Sequence, residues 1–422
     1  MGEIMKVSKL AESLIGSEIV KLGNTITERI KKGEKIYNYT IGDFDSSVFP
    51  IPALLEQYIV EAYQKKYTNY PPADGIALLR KSVAAFLAQR EGLVYADNEI
   101  QIASGGRPLI YALFETLIDP DDKVIYGVPS WNNNHYVHLT QGQHCTVVCT
   151  PENNFMPTAE DIAPHIKGAT LLCLCTPQNP TGTTLSKEAL QKICDMVLEE
   201  NDSRPADAKK LYVMFDQMYW TLTYGNIQHY NPISIRPSMR EYTIFIDGIS
   251  KAFAATGVRV GWACGPAPII AKMKAILSHL GAWAPMAEQQ AVAKYLGETT
   301  AIDEYLQNFK KALAFRLNTI YKGIKLLQQK GYAVDAIAPQ AAIYLTVQIN
   351  LIGKKTIEGD LLATQDAVTD YILSEAKIAI VPFYAFGGNR DSSWYRLSVG
   401  TCKEEDIEPM LLGLEHALAK LH

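Results

Sequence analysis

The chain predicts an α/β fold in which a largely parallel sheet is covered by helices, joined to a smaller α+β domain. Two observations carry this expectation. Between Glu99 and Trp262, short apolar runs rich in β-branched residues alternate with helical stretches. Strands that are apolar along their whole length are buried on both faces, as parallel sheets require. After about residue 298 the alternation is lost, and a long helical stretch leads into a few short strands, the pattern of an α+β unit.

With 422 residues, 48% of them hydrophobic and 20% charged, the chain is large enough for two domains. The expected large α/β domain is 49–297, and the expected α+β part is 298–422. In chain order, a helix is expected near Ser17 to Lys32, with no local sign of which part it packs on. The runs Glu99-Ile-Gln-Ile-Ala, Lys123-Val-Ile-Tyr, Thr170-Leu-Leu-Cys-Leu-Cys, Leu211-Tyr-Val-Met-Phe and Tyr242-Thr-Ile-Phe-Ile read as strands. Asn201-Asp-Ser-Arg-Pro-Ala-Asp is the expected flexible loop. A helix from about Ile302 to Lys330 precedes strands at Ile343 to Val347 and Tyr395 to Val399, and a final amphipathic helix starts near Lys403.

A net charge of −5, with basic residues dispersed along the chain, leaves no electrostatic footprint for nucleic acid or anionic membranes. No segment reaches the roughly 18 apolar residues of a membrane helix, and Met-Gly-Glu-Ile-Met-Lys at the start has no signal-peptide core. Cytoplasm is the expected location. Seven cysteines form no Cys-x-x-Cys pair, so they are expected to be reduced core residues, with no metal site.

In parallel sheets ligands bind beyond the carboxyl ends of the strands, and several motifs stand there. Ser104-Gly-Gly-Arg107 opens a helix and offers free backbone N–H groups to a phosphate, although such a turn also serves as an ordinary cap. Trp131 follows the Lys123 run; it can stack on a flat heteroaromatic ring or fill a core. Thr176-Pro-Gln-Asn-Pro-Thr-Gly182 is stiffened by two prolines, so the Asn179 amide can be held against a ring oxygen, or the loop is only a tight turn. Asp216 ends an apolar run, where a carboxylate must be paired; a protonated pyridine nitrogen would serve, and so would the next helix as a cap. Tyr219 is placed to donate to the same ring's phenolic oxygen.

Lys251 lies in Ile246-Asp-Gly-Ile-Ser-Lys-Ala-Phe-Ala-Ala-Thr-Gly-Val-Arg259, among small and apolar residues that favour a neutral, nucleophilic amine. Arg259 can close a phosphate site with a bidentate contact. A phosphate cradle, a stacking ring, a phenolate donor, a pyridinium acceptor and a carbonyl-trapping lysine together describe pyridoxal phosphate.

Over nearly its whole length the chain resembles the class I/II aminotransferases, the aspartate aminotransferase-like branch of the fold-type I pyridoxal phosphate enzymes. The resemblance runs through Gly42, Tyr70, Gly105, Gly106, Arg107, Trp131, Asn179, Asp216, Tyr219, Ser250, Lys251, Arg259 and Arg396 in Trp-Tyr-Arg-Leu-Ser-Val. It implies that Lys251 carries the cofactor as a Schiff base, Asp216 holds the pyridine nitrogen protonated, and Asn179 and Tyr219 bond the phenolic oxygen. It further implies that Arg396, with Gly42, Trp131 and Asn179, binds the substrate, that residues 1–48 join 298–422 in a small domain beside the large cofactor-binding domain 49–297, and that Tyr70 reaches the cofactor phosphate of a neighbouring subunit in a homodimer.

Two departures from the family pattern stand out. Gly248 occupies the position three before the lysine, where a phosphate-binding hydroxyl is usual, and Pro339-Gln-Ala-Ala and Phe383 replace glycines. Both latter changes are expected to add bulk near the substrate entrance.

For the side chain of the substrate, Arg107 stands where a lysine contacts the distal carboxylate in some aspartate aminotransferases of this branch, and Ser17 matches a polar position near it. A cation there favours a dicarboxylic substrate unless it pairs with an acidic neighbour. The expected reaction is transamination between an amino acid and a 2-oxo acid, with aspartate and 2-oxoglutarate the expected pair. The alternatives are a carbon–sulfur β-lyase or a cyclopropane-carboxylate synthase on the same scaffold, and, more remotely, a cofactor-sensing transcription regulator. That last reading would need a DNA-binding domain ahead of Gly42, where only an arm and a helix are expected.

Overall fold

The structure is a computed structural model that describes residues 6–14, 16 and 18–422. Its strands are β1 Tyr37–Asn38, β2 Ile100–Ala103, β3 Lys123–Val128, β4 Gln143–Val148, β5 Ala169–Cys175, β6 Tyr212–Asp216 and β7 Thr243–Gly248. They continue with β8 Gly261–Cys264, β9 Val334–Ala336, β10 Tyr344–Ile349, β11 Ile378–Ala379, β12 Val381–Pro382 and β13 Trp394–Ser398.

Seven strands form the large sheet in the order β2-β8-β7-β6-β5-β3-β4. The pairs β4/β3, β3/β5, β5/β6 and β6/β7 are parallel, whereas β8 runs antiparallel between β7 and β2. Successive side chains of the central strands enter opposite cores, as a two-residue period demands. Leu172, Leu174, Val213 and Phe215 pack on one face, and Leu171, Cys173, Met214 and Ile244 on the other. The first face is covered by helices including Ala77–Glu91 and Lys187–Ser203, and the second by Gly106–Leu117 and Ala267–Leu280. Edge strand β4 alternates exposed and buried residues, because only one of its faces is fully covered.

Four antiparallel strands, β12-β13-β10-β9, form the second sheet. Helix Thr299–Gln329 turns Leu313, Leu317, Ile320 and Ile324 toward Leu345, Val347, Tyr395 and Leu397 in one core. Helix Ile407–Ala419 closes the same core with Met410 and Leu414. Parallel pairing of β1 with β11 ties residues near the amino terminus to this carboxyl-terminal part. Helix Glu18–Lys31 packs there too: Ile26 is fully buried against Leu373 and Ala379.

The expected loop 201–207 starts later than its composition suggests. Helix Lys187–Ser203 takes its first three residues and Arg204 to Asp207 form the turn, while the buried Asn201 amide bonds Leu211 in both directions, accepting from its N–H at 2.7 Å and donating to its carbonyl at 2.9 Å. Satisfying those two backbone groups ahead of β6 outweighs the loop-like composition. Among the described residues no helix is long and apolar enough to cross a membrane, and all seven cysteines are free thiols.

Candidate active site

Because β3, β5, β6 and β7 run parallel, their carboxyl ends meet at one edge of the sheet, and the loops beyond them surround a cavity of about 590 Å³. Its walls bring together Gly42, Gly106, Arg107, Trp131, Asn179, Asp216, Tyr219, Ser250, Lys251, Arg259 and Arg396. Gly105 stands just behind this wall with a positive φ of +86°, and a Cβ there would collide with the Arg259 guanidinium. Tyr70 is 85% exposed, resting edge-on against Trp283, and does not line this cavity. Ser17 lies outside the described residues.

Lys251 Nζ donates to the Gly42 carbonyl at 2.5 Å. Burial pushes its pKa down to about 8, Asp43 opposes the shift, and Arg396, Arg259 and Arg107 add to it. Asp216 accepts from the Met218 N–H at 3.1 Å, and burial raises its carboxyl to about 6. The Tyr219 and Tyr344 hydroxyls are 2.6 Å apart. Burial holds the Tyr219 phenol well above its ordinary range.

Arg396 sits in the middle of β13, fully enclosed. It donates from Nη1 to Asn179 Oδ1 at 2.9 Å and from Nη2 to the Thr40 carbonyl at 2.6 Å, and its plane lies over Tyr344 and Phe386. Its Nε is buried without a hydrogen-bond partner. A buried guanidinium with a spare donor and no carboxylate beside it is prepared for an anionic ligand. Arg259 donates to the carbonyls of Thr256 and Ser104, at 2.6 and 2.8 Å, and so anchors the turn before helix Gly106–Leu117. That helix's first-turn amides have no intrahelical acceptor.

Arg107 stacks on the Trp131 indole at 4.6 Å and, among the described residues, takes part in no ion pair. The expectation of bulk at the substrate entrance does not hold. Ala341 and Ala342 are buried beside Gly182 and Leu222, whose carbonyls they bond. Phe383 packs edge-on against Phe155 in a separate core. None of the three lines the cavity, because the extra methyls and the ring are taken up by packing elsewhere.

Sequence reasoning missed Tyr344, Asp43 and Thr256, which also line the cavity. Thr256 donates to Asp43 at 2.5 Å, holding the loop after β1 over the lysine. Asp43 adjoins Gly42, so that segment carried a signal. Tyr344 begins a strand of the other sheet, where a search of strand carboxyl ends does not look. Behind Asp216, Gln217 donates to the buried Glu91 at 2.7 Å and Trp220 donates to Asp247 at 2.9 Å, so the loop carrying Asp216 is pinned from beneath.

The residues present are matched to pyridoxal phosphate on two counts. Asp216 is a buried carboxylate with no cationic partner among the described residues, which a ring N–H would supply. The Gly105 turn lets the Arg259 guanidinium approach where any side chain would collide with it, which sets that cation beside the free amides of the following helix, as a phosphate requires. A buried amine, a buried carboxylate and several anion-binding groups around one cavity are the parts that a cofactor-dependent transferase of amino compounds requires.

The comparisons with known proteins agree. Residues 35–412 match the family described as aminotransferase class I and II, and the chain belongs to that family. It is a pyridoxal phosphate-dependent aminotransferase of the aspartate aminotransferase-like, fold-type I kind. An aspartate aminotransferase of Bacillus sp. (strain YM-2) is 30% identical over 85% of this chain and 87% of its own. Another, from Geobacillus stearothermophilus, is 28% identical over 99% and 98%. The crystal structure of the Rhizobium meliloti aspartate aminotransferase superposes with a TM-score of 0.89 at 25% identity, covering 99% of this chain and all of that one. The Thermus thermophilus aspartate aminotransferase with maleate gives 0.87 at 25% identity, over 98% of this chain and all of that one.

Proposed function

We propose that this aminotransferase exchanges the amino group between aspartate and 2-oxoglutarate, with Lys251 as the catalytic amine and Arg107 as the reader of the distal carboxylate. The observation that carries the substrate assignment is Arg107 itself, a cavity-lining guanidinium stacked on Trp131 with no carboxylate partner among the described residues. A dicarboxylic substrate would complete it. Relatives named aspartate aminotransferase, and a neighbour solved with the dicarboxylate maleate, support the same reading.

In this proposal, the first-turn amides at Gly106 and Arg107, the Ser250 hydroxyl and Arg259 hold the phosphate behind the Gly105 turn, while Trp131 covers the ring face. Asp216 would accept the pyridine N–H and remain ionised, and Asn179 and Tyr219 would donate to the phenolic oxygen. When bound, pyridoxal phosphate supplies an aldehyde that condenses with amines and a ring that accepts the electrons released at the substrate Cα. Arg396 and Asn179 fix the α-carboxylate, which aims the Cα proton at Lys251. With its pKa near 8, Lys251 Nζ is neutral often enough near pH 7 to take that proton and hold it for return. Tyr70, exposed on this chain, would serve the phosphate of a second subunit in a homodimer.

Residues 1–48 with 298–422, and 49–297, are proposed as the small and large domains, on either side of this cavity. The test of the substrate is a panel of half-reactions followed by cofactor absorbance. Aspartate and glutamate should convert the bound cofactor fastest; faster conversion by alanine or an aromatic amino acid would overturn the dicarboxylate assignment. Release of ammonia and pyruvate from cystathionine would point instead to β-elimination.

A further inference from the structure

We infer that Tyr344 is a positioning residue that gives Tyr219 its direction: its hydroxyl donates to the Tyr219 oxygen, so that the Tyr219 proton is delivered into the cavity. This rests on the reading that Tyr219 faces the cofactor's phenolic oxygen.

The two hydroxyls come from different sheets. Tyr219 follows β6 of the large sheet, Tyr344 opens β10 of the small one, and both are almost completely buried. At 2.6 Å, one proton lies between the two oxygens and the other must go elsewhere. Around Tyr344 the options are few. The Gly42 backbone approaches so closely that a Cβ there would sit 2.9 Å from the Tyr344 oxygen. The guanidinium of Arg396 lies 4.7 Å from the Tyr344 ring centroid and has only N–H groups to offer, which cannot accept a proton. Among the described residues the Tyr344 hydroxyl has no hydrogen-bond partner except Tyr219. Both hydroxyls line the cavity, and the reading that Tyr219 faces the phenolic oxygen commits the Tyr219 proton to that acceptor.

The assignment of donors follows from that commitment, since the one proton left to lie between the two oxygens is then the Tyr344 proton. With an acceptor in the cavity, the arrangement that leaves no proton unshared has Tyr344 donating to Tyr219 and Tyr219 donating outward. Each hydrogen bond in such a chain polarises the next, so Tyr219 becomes a stronger donor than an isolated phenol. The charged and titratable groups around the pair are Arg396 on β13, Lys251 after β7, Asp43 after β1 and Cys175 at the end of β5. Arg396 favours charge on the phenols and thus strengthens their donation. A phenylalanine at 344 would keep the ring beneath Arg396 and remove only the first donor.

Donation to the phenolic oxygen stabilises the negative charge left there when the linkage between Lys251 and the cofactor loses its proton. Weaker donation therefore raises the pH midpoint of that loss. The experiment titrates the absorbance of the cofactor-loaded enzyme in four forms: unaltered, Tyr344→Phe, Tyr219→Phe and the double variant. Tyr344→Phe should raise the midpoint by about half a unit to one unit, and by roughly nothing in the Tyr219→Phe background, because it acts through Tyr219.

In parallel, kcat for aspartate should fall several-fold while KM stays within about twofold, since Arg396 keeps its platform. An unchanged midpoint in Tyr344→Phe, or an equal shift whether or not Tyr219 is present, would overturn the relay. An unchanged midpoint in Tyr219→Phe alone would instead refute the placement of Tyr219 at the phenolic oxygen, and the relay with it.

Discussion

Arg396 and Asn179, 217 residues apart in the chain, are joined by a 2.9 Å hydrogen bond from Nη1 to Oδ1. The bond leaves the Asn179 amide nitrogen free to donate while holding the guanidinium against the cavity wall. One asparagine thereby links the proposed carboxylate clamp to the proposed ring contact.

Asn179→Ala should therefore damage every substrate alike. Loss of a hydrogen bond to a buried charge costs about 1.5–3 kcal/mol, so kcat/KM should fall roughly ten- to hundredfold for aspartate and alanine together. Steady-state kinetics with both amino acids checks this. A loss confined to aspartate would show that Asn179 reads the side chain.

Arg107→Leu should discriminate instead. Removing the one guanidinium stacked on Trp131 strips the distal carboxylate of its partner. We expect kcat/KM for aspartate to fall by about a hundredfold and that for alanine to change by no more than about threefold. Equal losses for the two would assign Arg107 to the phosphate or to the fold.

Lys251 should be the most reactive lysine of the cofactor-free protein. With a pKa near 8, about one molecule in ten carries a neutral amine at pH 7, far more than for an ordinary lysine near 10.4. Labelling by an amine-reactive reagent, read by mass spectrometry across pH, should reach half its maximal rate near pH 8 at this site. Because the folded value is depressed, the folded state binds fewer protons than the unfolded chain between about 8 and 10.5. This group's contribution to stability therefore rises with pH across that window, and Lys251→Met should flatten the rise in urea-unfolding measurements.

Gly248→Ser should not restore the hydroxyl that the family pattern leads one to expect. The residue is extended, so backbone strain is not the obstacle; a Cβ there would lie 2.8 Å from both the Gly261 Cα and the Val260 carbonyl. The β7/β8 pair would have to separate at the register Gly248↔Gly261. Destabilisation by about 1–3 kcal/mol, with no gain in cofactor affinity, is the expected outcome of denaturant titration and cofactor binding.

The large sheet was legible because its signals are local. A strand buried on both faces announces itself in runs such as Thr170-Leu-Leu-Cys-Leu-Cys, and parallel strands deliver their carboxyl-terminal loops to one edge. Trp131, Asn179, Asp216 and Lys251 could therefore be grouped from the sequence, and the structure brings them to one cavity. Composition misled at Asn201, where a polar run is pinned by its own buried amide, and at Phe383, whose ring goes into a core and not toward the substrate.

The sequence by itself determined the family, the cofactor chemistry and the set of residues at the sheet edge, since each is written in short contiguous motifs. Only the tertiary structure decided which partners those residues meet. Tyr219 meets Tyr344 across 125 positions, Arg396 meets Asn179, and Arg107 lies on Trp131 without an acidic neighbour among the described residues. The helix Glu18–Lys31 likewise settles on the carboxyl-terminal part. These meetings depend on how two separately hydrogen-bonded sheets pack against each other, and the free energy that selects a packing is summed over both cores rather than stored in any one stretch of chain.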